Sequence, residues 1–325
     1  MELVLNTFGT ALRVENGLFL VNHPDGKQMI DPTKVKSILI SKGASISSDA
    51  ALLAISNEID VMFLEKGGSP AGRIWSIQFG SISSIRRKQL DFLYSEKAVS
   101  WVKEVVIHKI DNQVGLLLTM DKEDEKLKRI ISRTVNRLED YKTKITNASG
   151  LMVPDIAPSI RGWEGAASKA YFGTISELLP EKYRFDCRTQ RPALDAFNCL
   201  LNYGYGILYG KVEGALIKAG IDPYAGIFHR DEYNRPALVF DVIEVFRVWV
   251  DFVVFVLCNQ DAIDEDCYSV NSDGSYWLEN IGKRVLIQSI NDYLDEVVGI
   301  KGRERSRKTH IDLYAQDLAQ RFLRS

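Results

Sequence analysis

The first 80 residues carry short runs of hydrophobic residues separated by turn residues, which is the pattern of β-strands. The runs predicted as strands are LVLNT, TALRV, LFLV, VKSILIS, VMFLE and RIWSI. Asn16-Gly17 lies between two such runs and predicts a tight hairpin, because both residues accept positive φ angles. One helix is predicted at SSDAALLAISNE, with Ser47 or Ser48 as its N-cap. We therefore expect a β-sandwich-like domain over residues 1–82.

After residue 82 the hydrophobic residues recur every three or four positions, which is the spacing of amphipathic helices. Pro192 and Pro236 are predicted in the first turns of helices, and Gly220 is predicted just after the end of one. The segments predicted as helices are DKEDEKLKRIISRTVNRLEDYKTKI, GWEGAASKAYFGTISELL, PALDAFNCLLNYGYGILYGKVEGALIKAG and PALVFDVIEVFRVWVDFVVFVLC. The expected fold class is α+β, with a larger all-α domain over residues 83–325.

The composition is that of a packed globular protein, with 46% hydrophobic and 26% charged residues. It argues against a disordered, collagen-like or disulfide-framework chain, and no apolar run is long enough for a membrane span. The four cysteines are widely spaced without a CxxC pair, so we expect reduced, mostly buried thiols and no zinc site. These features are typical of a cytoplasmic protein.

Positive charge is concentrated in one part of the chain, although the net charge is only -2. Residues 81–150 carry 14 basic and 10 acidic side chains, which gives this segment a net charge of +4. This segment and a second basic run, Lys301 to Lys308, could contact DNA phosphates. Alternatively, the first could be a solvated helix face and the second a solvated tail. The candidate DNA-binding residues are Arg86, Arg87, Lys88, Arg129, Arg133, Arg137, Lys301, Arg303 and Arg305.

Acidic residues interrupt the most hydrophobic predicted helix, from about Pro236 to Cys258. Asp241 and Glu244 are three residues apart and therefore share a helix face, with Cβ atoms roughly 5–6 Å apart. Two carboxylates this close in a buried setting need a cation, a shared proton or an arginine partner. An ion pair with Arg247 is therefore the alternative to a functional site.

His229 and Glu164 complete a possible site. His229 lies in a glycine- and proline-rich loop just before the acidic helix, and Glu164 lies among small residues at a predicted helix start. Taken alone, the histidine could be a surface residue and the glutamate a first-turn acid favoured by the helix dipole. Together with Glu244 they form an oxygen-rich set with one imidazole, which suits Mg²⁺ or Mn²⁺.

The sequence resembles the Cas1 family, the CRISPR-associated integrase of spacer acquisition. The resemblance covers the whole chain and is carried by four ordered segments: RGWEGAASKAYF, RTQRPALDAFNCLLNYGYGIL, AGIDPYAGIFH and PALVFDVIEVFR. It implies that Glu164, His229 and Glu244 ligate the divalent metal and that Asp241 matches the acidic position one turn before the last ligand. The residues at these four positions match the family.

The resemblance also implies a reaction and partners. The family inserts prespacer DNA ends into a CRISPR repeat, with a DNA 3′-hydroxyl attacking a phosphodiester. It implies double-stranded DNA as substrate, a homodimer formed through the N-terminal domain, and a Cas2 dimer bridging two such dimers. Two other functions stay open: a general metal-dependent nuclease on branched DNA, and a non-catalytic DNA-binding subunit whose carboxylates only form ion pairs.

Overall fold

The computed structural model describes residues 1–65, 70–74, 81–120, 124–229 and 235–325. The fold class is α+β, as expected. The strands are β1 (Glu2–Leu5), β2 (Ala11–Glu15), β3 (Leu18–His23), β4 (Gly26–Ile30), β5 (Ser37–Ser41), β6 (Ser45–Ile46), β7 (Asp60–Leu64), β8 (Pro70–Ile74), β9 (Tyr268–Val270), β10 (Tyr276–Leu278), β11 (Val297–Ile300) and β12 (Arg303–Ser306). The helices are α1 (Ser48–Ser56), α2 (Ser81–Leu93), α3 (Glu96–Thr119), α4 (Glu125–Asn147), α5 (Val153–Leu178), α6 (Ala196–Lys218), α7 (Ala237–Ile243), α8 (Arg247–Asn259), α9 (Asn280–Asp295) and α10 (Arg307–Leu323).

The N-terminal strands form two four-stranded sheets that share one core. One sheet has the order β1-β5-β7-β8, and the other has the order β4-β3-β2-β6. Ile38 and Val61 of the first sheet and Leu12 and Phe19 of the second are fully buried in the same hydrophobic cluster. Strand alternation places these residues on inward faces, which is the arrangement of a sandwich-like β region.

Local sequence signals account for much of this region. Asn16 and Gly17 have φ angles of 50° and 77°, which confirms the predicted hairpin. Ser47 is the N-cap of α1, and its hydroxyl accepts a hydrogen bond from the Ala50 N–H at 3.2 Å. The edge strand β4 was not predicted, because only Ile30 of its five residues is buried and no alternation is visible. The last three residues of RIWSI lie outside the described part of the chain.

A second hydrophobic core runs from Ile85 to Phe322 and unites the helices. Helix α3 packs against α4, α5 and α8, and α6 packs against α7, α8, α9 and α10. The predicted boundary at residue 82/83 falls within the first turn of α2.

No described helix is both long and apolar enough to cross a membrane. Cys187 is exposed, the other three cysteines are buried, and all four are free thiols.

The predicted helix from Pro236 to Cys258 is wrong in one respect, because it is two helices. Helix α7 ends at Ile243 and α8 begins at Arg247, so Glu244 lies at the break. The Asn112 side-chain amide on α3 donates to the Val245 carbonyl at 2.8 Å and so provides a partner for a carbonyl at the break. Because this partner comes from a distant helix and the break contains no glycine or proline, the local sequence does not predict it.

Two other helix boundaries differ from the prediction. Helix α6 begins at Ala196 with Asp195 as its N-cap, so Pro192 lies in the preceding loop and not in the first turn. Helix α5 begins at Val153, which places Glu164 in mid-helix and rules out the interpretation as a first-turn acid. Gly220, with a φ of 80°, follows the end of α6 as predicted.

The basic segment Lys301–Lys308 is not a solvated tail. Lys301 and Gly302, with φ angles of 51° and 74°, form the turn between β11 and β12. The segment then continues into the first residues of α10. Two consecutive residues with positive φ are the signature of a tight hairpin turn.

Candidate active site

A cleft of about 600 Å³ opens between α3, α5, α6 and the break that separates α7 from α8. Four of its lining residues are acidic or basic groups that meet near the middle of the helical core. They are Lys109 of α3, Glu164 of α5, Glu244 at the break and Arg247 at the start of α8. The cleft therefore brings together side chains from four separate segments of the chain.

The Lys109 ammonium joins the two glutamates. Its Nζ contacts Oε1 of Glu164 and lies 2.6 Å from Oε2 of Glu244. All three side chains are largely buried, with exposed fractions of 8% for Lys109, 25% for Glu164 and 11% for Glu244. Glu164 Oε1 also accepts a hydrogen bond from the Ser168 hydroxyl at 3.2 Å. The carboxylates that the lysine bridges are therefore Glu164 and Glu244, whereas the pair predicted from the sequence was Asp241 and Glu244.

Arg247 supplies a second positive charge to Glu244, at 3.2 Å from Oε1. Burial opposes ionisation of Glu244, but Arg247 and Lys109 outweigh burial and lower its pKa to about 2. Burial likewise opposes the charged form of Lys109, yet Glu244 and Glu164 raise its pKa. Glu244 and Lys109 are therefore charged at neutral pH, and the ion pair predicted between Glu244 and Arg247 is confirmed.

Asp241 organises the loop that carries His229. Its carboxylate accepts hydrogen bonds from the backbone N–H groups of Ile227 at 2.7 Å, Phe228 at 3.0 Å and His229 at 2.8 Å. Oδ1 also lies 2.6 Å from His229 Nδ1. Because Asp241 contacts Nδ1, His229 would contact a ligand in the cleft through Nε2. Asp241 and Glu244 line one small cavity, as their spacing predicts, but their carboxylates bind different partners.

Two further side chains fix this loop. The buried Gln89 of α2 donates to the Asp222 carbonyl at 2.8 Å and accepts from the Asp222 N–H at 2.9 Å. Arg161 of α5 donates to the Phe228 carbonyl, and its guanidinium lies 5.1 Å from the centroid of the Phe228 ring. The position of His229 is therefore set by α2, α5 and α7 together.

A buried polar network forms the far wall of the cleft. Asp251 of α8 accepts hydrogen bonds from the hydroxyls of Tyr171 at 2.9 Å and Tyr205 at 2.5 Å. Burial raises the pKa of Asp251 to about 6, despite the two hydroxyls and the nearby guanidinium groups of Arg188 and Arg247. The same two guanidinium groups lie 5.4 and 5.0 Å from the centroid of the Tyr205 ring.

The structure places the three residues predicted as metal ligands around one cleft, without joining them in a single cluster. Glu164 and Glu244 contact the same ammonium, and His229 lines the same cleft. Within the described ranges, no three histidine, cysteine, aspartate or glutamate side chains already converge closely enough to form a metal-binding cluster. Lys109 occupies the space between the two glutamates.

The candidate DNA-binding residues lie elsewhere on the molecule. Arg129, Arg133 and Arg137 are exposed along one side of α4, whose opposite side is buried. Arg86 and Arg87 are exposed on α2, while Lys88 is paired with Asp91 at 3.7 Å. The three basic residues of the hairpin are exposed, and none of the nine candidates lines the cleft. The basic residues that do line the cleft, none of which was among the candidates from the sequence, are Lys109, Lys169, Arg188, Arg235 and Arg247.

Lys109 and Gln113 are functional candidates that the sequence could have revealed. Both fall on the apolar stripe of α3, in line with Val102, Val106 and Leu116, and both are buried. A charged residue at a core position requires a partner, so this departure from the pattern was a usable signal. Gln113 Oε1 is buried without a hydrogen-bond partner among the described residues.

Comparisons with known proteins agree on one family. A family model described as CRISPR associated protein Cas1 matches residues 3–292. The CRISPR-associated endonuclease Cas1 1 of Archaeoglobus fulgidus is 34% identical over 345 residues, covering 100% of this chain and 96% of the relative. Two solved structures match over 99% of this chain and 95% of their own chains. One is a partial Cas6-RT-Cas1–Cas2 complex, with a TM-score of 0.77 and 24% identity. The other is a casposase bound to integration product, with a TM-score of 0.74 and 19% identity. At these identities the two structures show a shared fold.

Proposed function

The chain belongs to the Cas1 family, and we propose that it is a metal-dependent integrase of CRISPR adaptation. In this role it joins the 3′-hydroxyl ends of a short DNA duplex to phosphodiesters at a CRISPR repeat. One structural observation carries the proposal: two partly buried glutamates and a histidine, supplied by distant segments, line one cleft together with several basic side chains. A cleft of this composition suits an anionic substrate and an oxygen-binding cation.

The residues present fit a divalent ion. Glu164 and Glu244 offer carboxylate oxygens, and His229 offers an imidazole whose other nitrogen is held by Asp241. Glu244 Oε2 is buried and lacks a hydrogen bond of normal geometry, although it lies in ion-pair distance of Lys109. Such an oxygen is suited to a cation. The donor set favours Mg²⁺ or Mn²⁺ held by Glu164, His229 and Glu244.

The proposed reaction exchanges one phosphodiester for another. The attacking 3′-hydroxyl gives its proton to solvent as its oxygen bonds to phosphorus. The bond from phosphorus to the leaving 3′-oxygen breaks, and that oxygen takes up a proton from solvent and is released as a new 3′-hydroxyl. A divalent ion, when bound, polarises the phosphoryl oxygen and offsets the developing negative charge. The chain itself positions the DNA through the basic residues of the cleft, and Asp241 holds the imidazole of His229 in place.

The proposed partners are DNA and Cas2. Solved structures that share this fold include a complex named for Cas1 and Cas2 and a Cas1–DNA complex, and both support this assignment. A homodimer formed through the N-terminal sheets and bridged by Cas2 would place two clefts on one DNA segment. Two-ended insertion needs that arrangement, because both 3′ ends must reach phosphodiesters at a fixed spacing.

The test separates catalysis from DNA binding. We expect Glu164→Gln, His229→Ala and Glu244→Gln to lower strand transfer about 100-fold or more, because each removes a group that would stabilise charge in the transition state. DNA affinity should stay within about threefold of the parent, since removing a carboxylate does not remove a phosphate contact. The assay uses the full-length protein, a labelled prespacer duplex and a repeat-bearing plasmid, with Mn²⁺ and with or without Cas2.

Glu177→Ala is the matched control, because this glutamate is exposed on the same helix as Glu164. It should leave strand transfer unchanged. Full strand transfer by all three site variants would contradict the proposed site. Cleavage of branched DNA without any joining to the repeat, even with Cas2, would favour the general nuclease.

A further inference from the structure

The ammonium of Lys109 lies between two carboxylates, at a place where a positive charge offsets theirs. Its ammonium contacts oxygens of both Glu164 and Glu244, and these three side chains come from three different elements. The ammonium is the group that joins the two carboxylates across the cleft. A divalent ion bound by the same two glutamates would need the same oxygens at about 2.0–2.6 Å.

The two cations exclude each other on both volume and charge. The ammonium nitrogen, which contacts Glu164 Oε1 and lies 2.6 Å from Glu244 Oε2, occupies the place between the two glutamates where an ion shared by both would lie. Even at a longer distance, a single and a double positive charge in a buried cleft repel each other strongly. Ion binding therefore requires the ammonium to leave the glutamates.

Gln113 offers the ammonium a second position. It lies one turn after Lys109 on α3 and lines the same cleft. Its Oε1 is buried and has no hydrogen-bond partner in the part of the chain that the structure describes. An unbranched lysine side chain can rotate toward the i+4 position on its own helix, where this oxygen would accept a hydrogen bond from the ammonium.

We infer that Lys109 is a built-in competitor of the divalent ion: it holds Glu164 and Glu244 together before the ion binds and moves to Gln113 when the ion arrives. This inference rests on the proposed function, because it presupposes an ion at the two glutamates. It gives Lys109 a positioning role. In the ion-free protein, the ammonium and Arg247 together offset the charges of two adjacent, partly buried carboxylates.

The inference predicts an increase in metal affinity on removing the lysine. Mn²⁺ binding by the full-length protein is measured at pH 7.5 from the electron paramagnetic resonance signal of free Mn²⁺. Lys109→Met keeps the aliphatic stem but removes the competing charge, so we expect at least about 10-fold tighter Mn²⁺ binding. Lys109→Arg keeps the charge and should not tighten binding. Gln113→Leu removes the second position and should weaken binding.

Thermal unfolding gives an independent readout. Without Mn²⁺, Lys109→Met should unfold at a lower temperature than the parent, and saturating Mn²⁺ should raise its Tm by more than it raises the parent Tm. Lys103→Met is the matched control, because Lys103 lies on the same helix and donates to the Thr146 carbonyl at 3.1 Å, away from the glutamates. This variant should bind Mn²⁺ as the parent does.

The result that overturns the inference is Mn²⁺ binding by Lys109→Met that is equal to or weaker than parental binding, since Lys109 would then only be a scaffold for the ligands. If this variant does not fold, Gln113→Leu decides, because unchanged Mn²⁺ binding by it would remove the second position. Absence of Mn²⁺ binding and of strand transfer in the parent would instead refute the proposed function, and the inference with it.

Discussion

Asp241→Asn should destabilise the protein far more than a surface aspartate substitution. The Asp241 carboxylate is fully buried and faces four hydrogen-bond partners: three backbone N–H groups and His229 Nδ1. An asparagine side chain has one acceptor oxygen, and its amide nitrogen can only donate. With the proton of His229 on Nδ1, all four partners are donors, so at least two of them must lose their acceptor.

The magnitude follows from the number of bonds lost. A hydrogen bond to a charged group contributes about 1.5–3 kcal/mol, and a buried donor left without an acceptor carries a similar cost. Two lost bonds therefore predict a fall of about 3–6 kcal/mol in the free energy of unfolding. His229→Ala breaks only one of the four bonds and leaves the three backbone bonds in place, so it should cost at most about half as much.

The assay is urea unfolding followed by tryptophan fluorescence, since Trp101, Trp163 and Trp249 all lie in the helical region. Asp273→Asn is the control, because that carboxylate is exposed in a turn, where it accepts hydrogen bonds from the backbone N–H and the hydroxyl of Ser275. An unfolding free energy for Asp241→Asn within about 0.5 kcal/mol of the parent, the range of ordinary surface substitutions, would refute the reasoning. A His229→Ala variant as unstable as Asp241→Asn would refute it as well.

Two further predictions concern pH and salt. Burial raises the pKa of Asp251 to about 6, so between about pH 4 and pH 6 the folded protein keeps a proton that the unfolded chain has released. This carboxyl should therefore lower stability by about 2 kcal/mol as the pH rises from 4 to 7. Urea unfolding at both pH values should show a smaller decrease for Asp251→Asn, and equal decreases would contradict the shift. On the exposed side of α4, the arginines are reversed to glutamate by Arg129→Glu, Arg133→Glu and Arg137→Glu. This change should weaken binding to all DNA sequences and make the slope of log affinity against log salt less steep. An unchanged slope in a binding titration would show that this face is only solvated.

The sequence predicted those elements whose signal is local. The hairpin at Asn16-Gly17 and the cap at Ser47 follow from the conformations these residue types accept. The break after Ile243 could not be predicted, because a side chain of α3 stabilises it across 133 positions of sequence. The edge strand β4 could not be predicted for a related reason. Backbone pairing with β3 stabilises it, and its side chains are mostly exposed.

The candidate site was predictable in its residue types and not in its arrangement. Glu164, His229 and Glu244 stood out as polar groups in segments shared with a known family. That Asp241 faces the loop backbone and that Lys109 lies between the glutamates depends on contacts between elements 12 to 135 positions apart. Spacing along one helix places two carboxylates on a face, but the break at Glu244 turns them to different partners.

The charges of the cleft explain why a lysine and an arginine accompany the two glutamates. Glu164 and Glu244 carry two negative charges, and Lys109 and Arg247 carry two positive charges, so this group is neutral overall. Under the proposed function, a divalent cation added to it would leave a surplus of two positive charges. A phosphodiester that gains negative charge during attack needs such a surplus close by. The same four residues would therefore be stable without DNA and become strongly attractive to a DNA phosphate only when the ion is present.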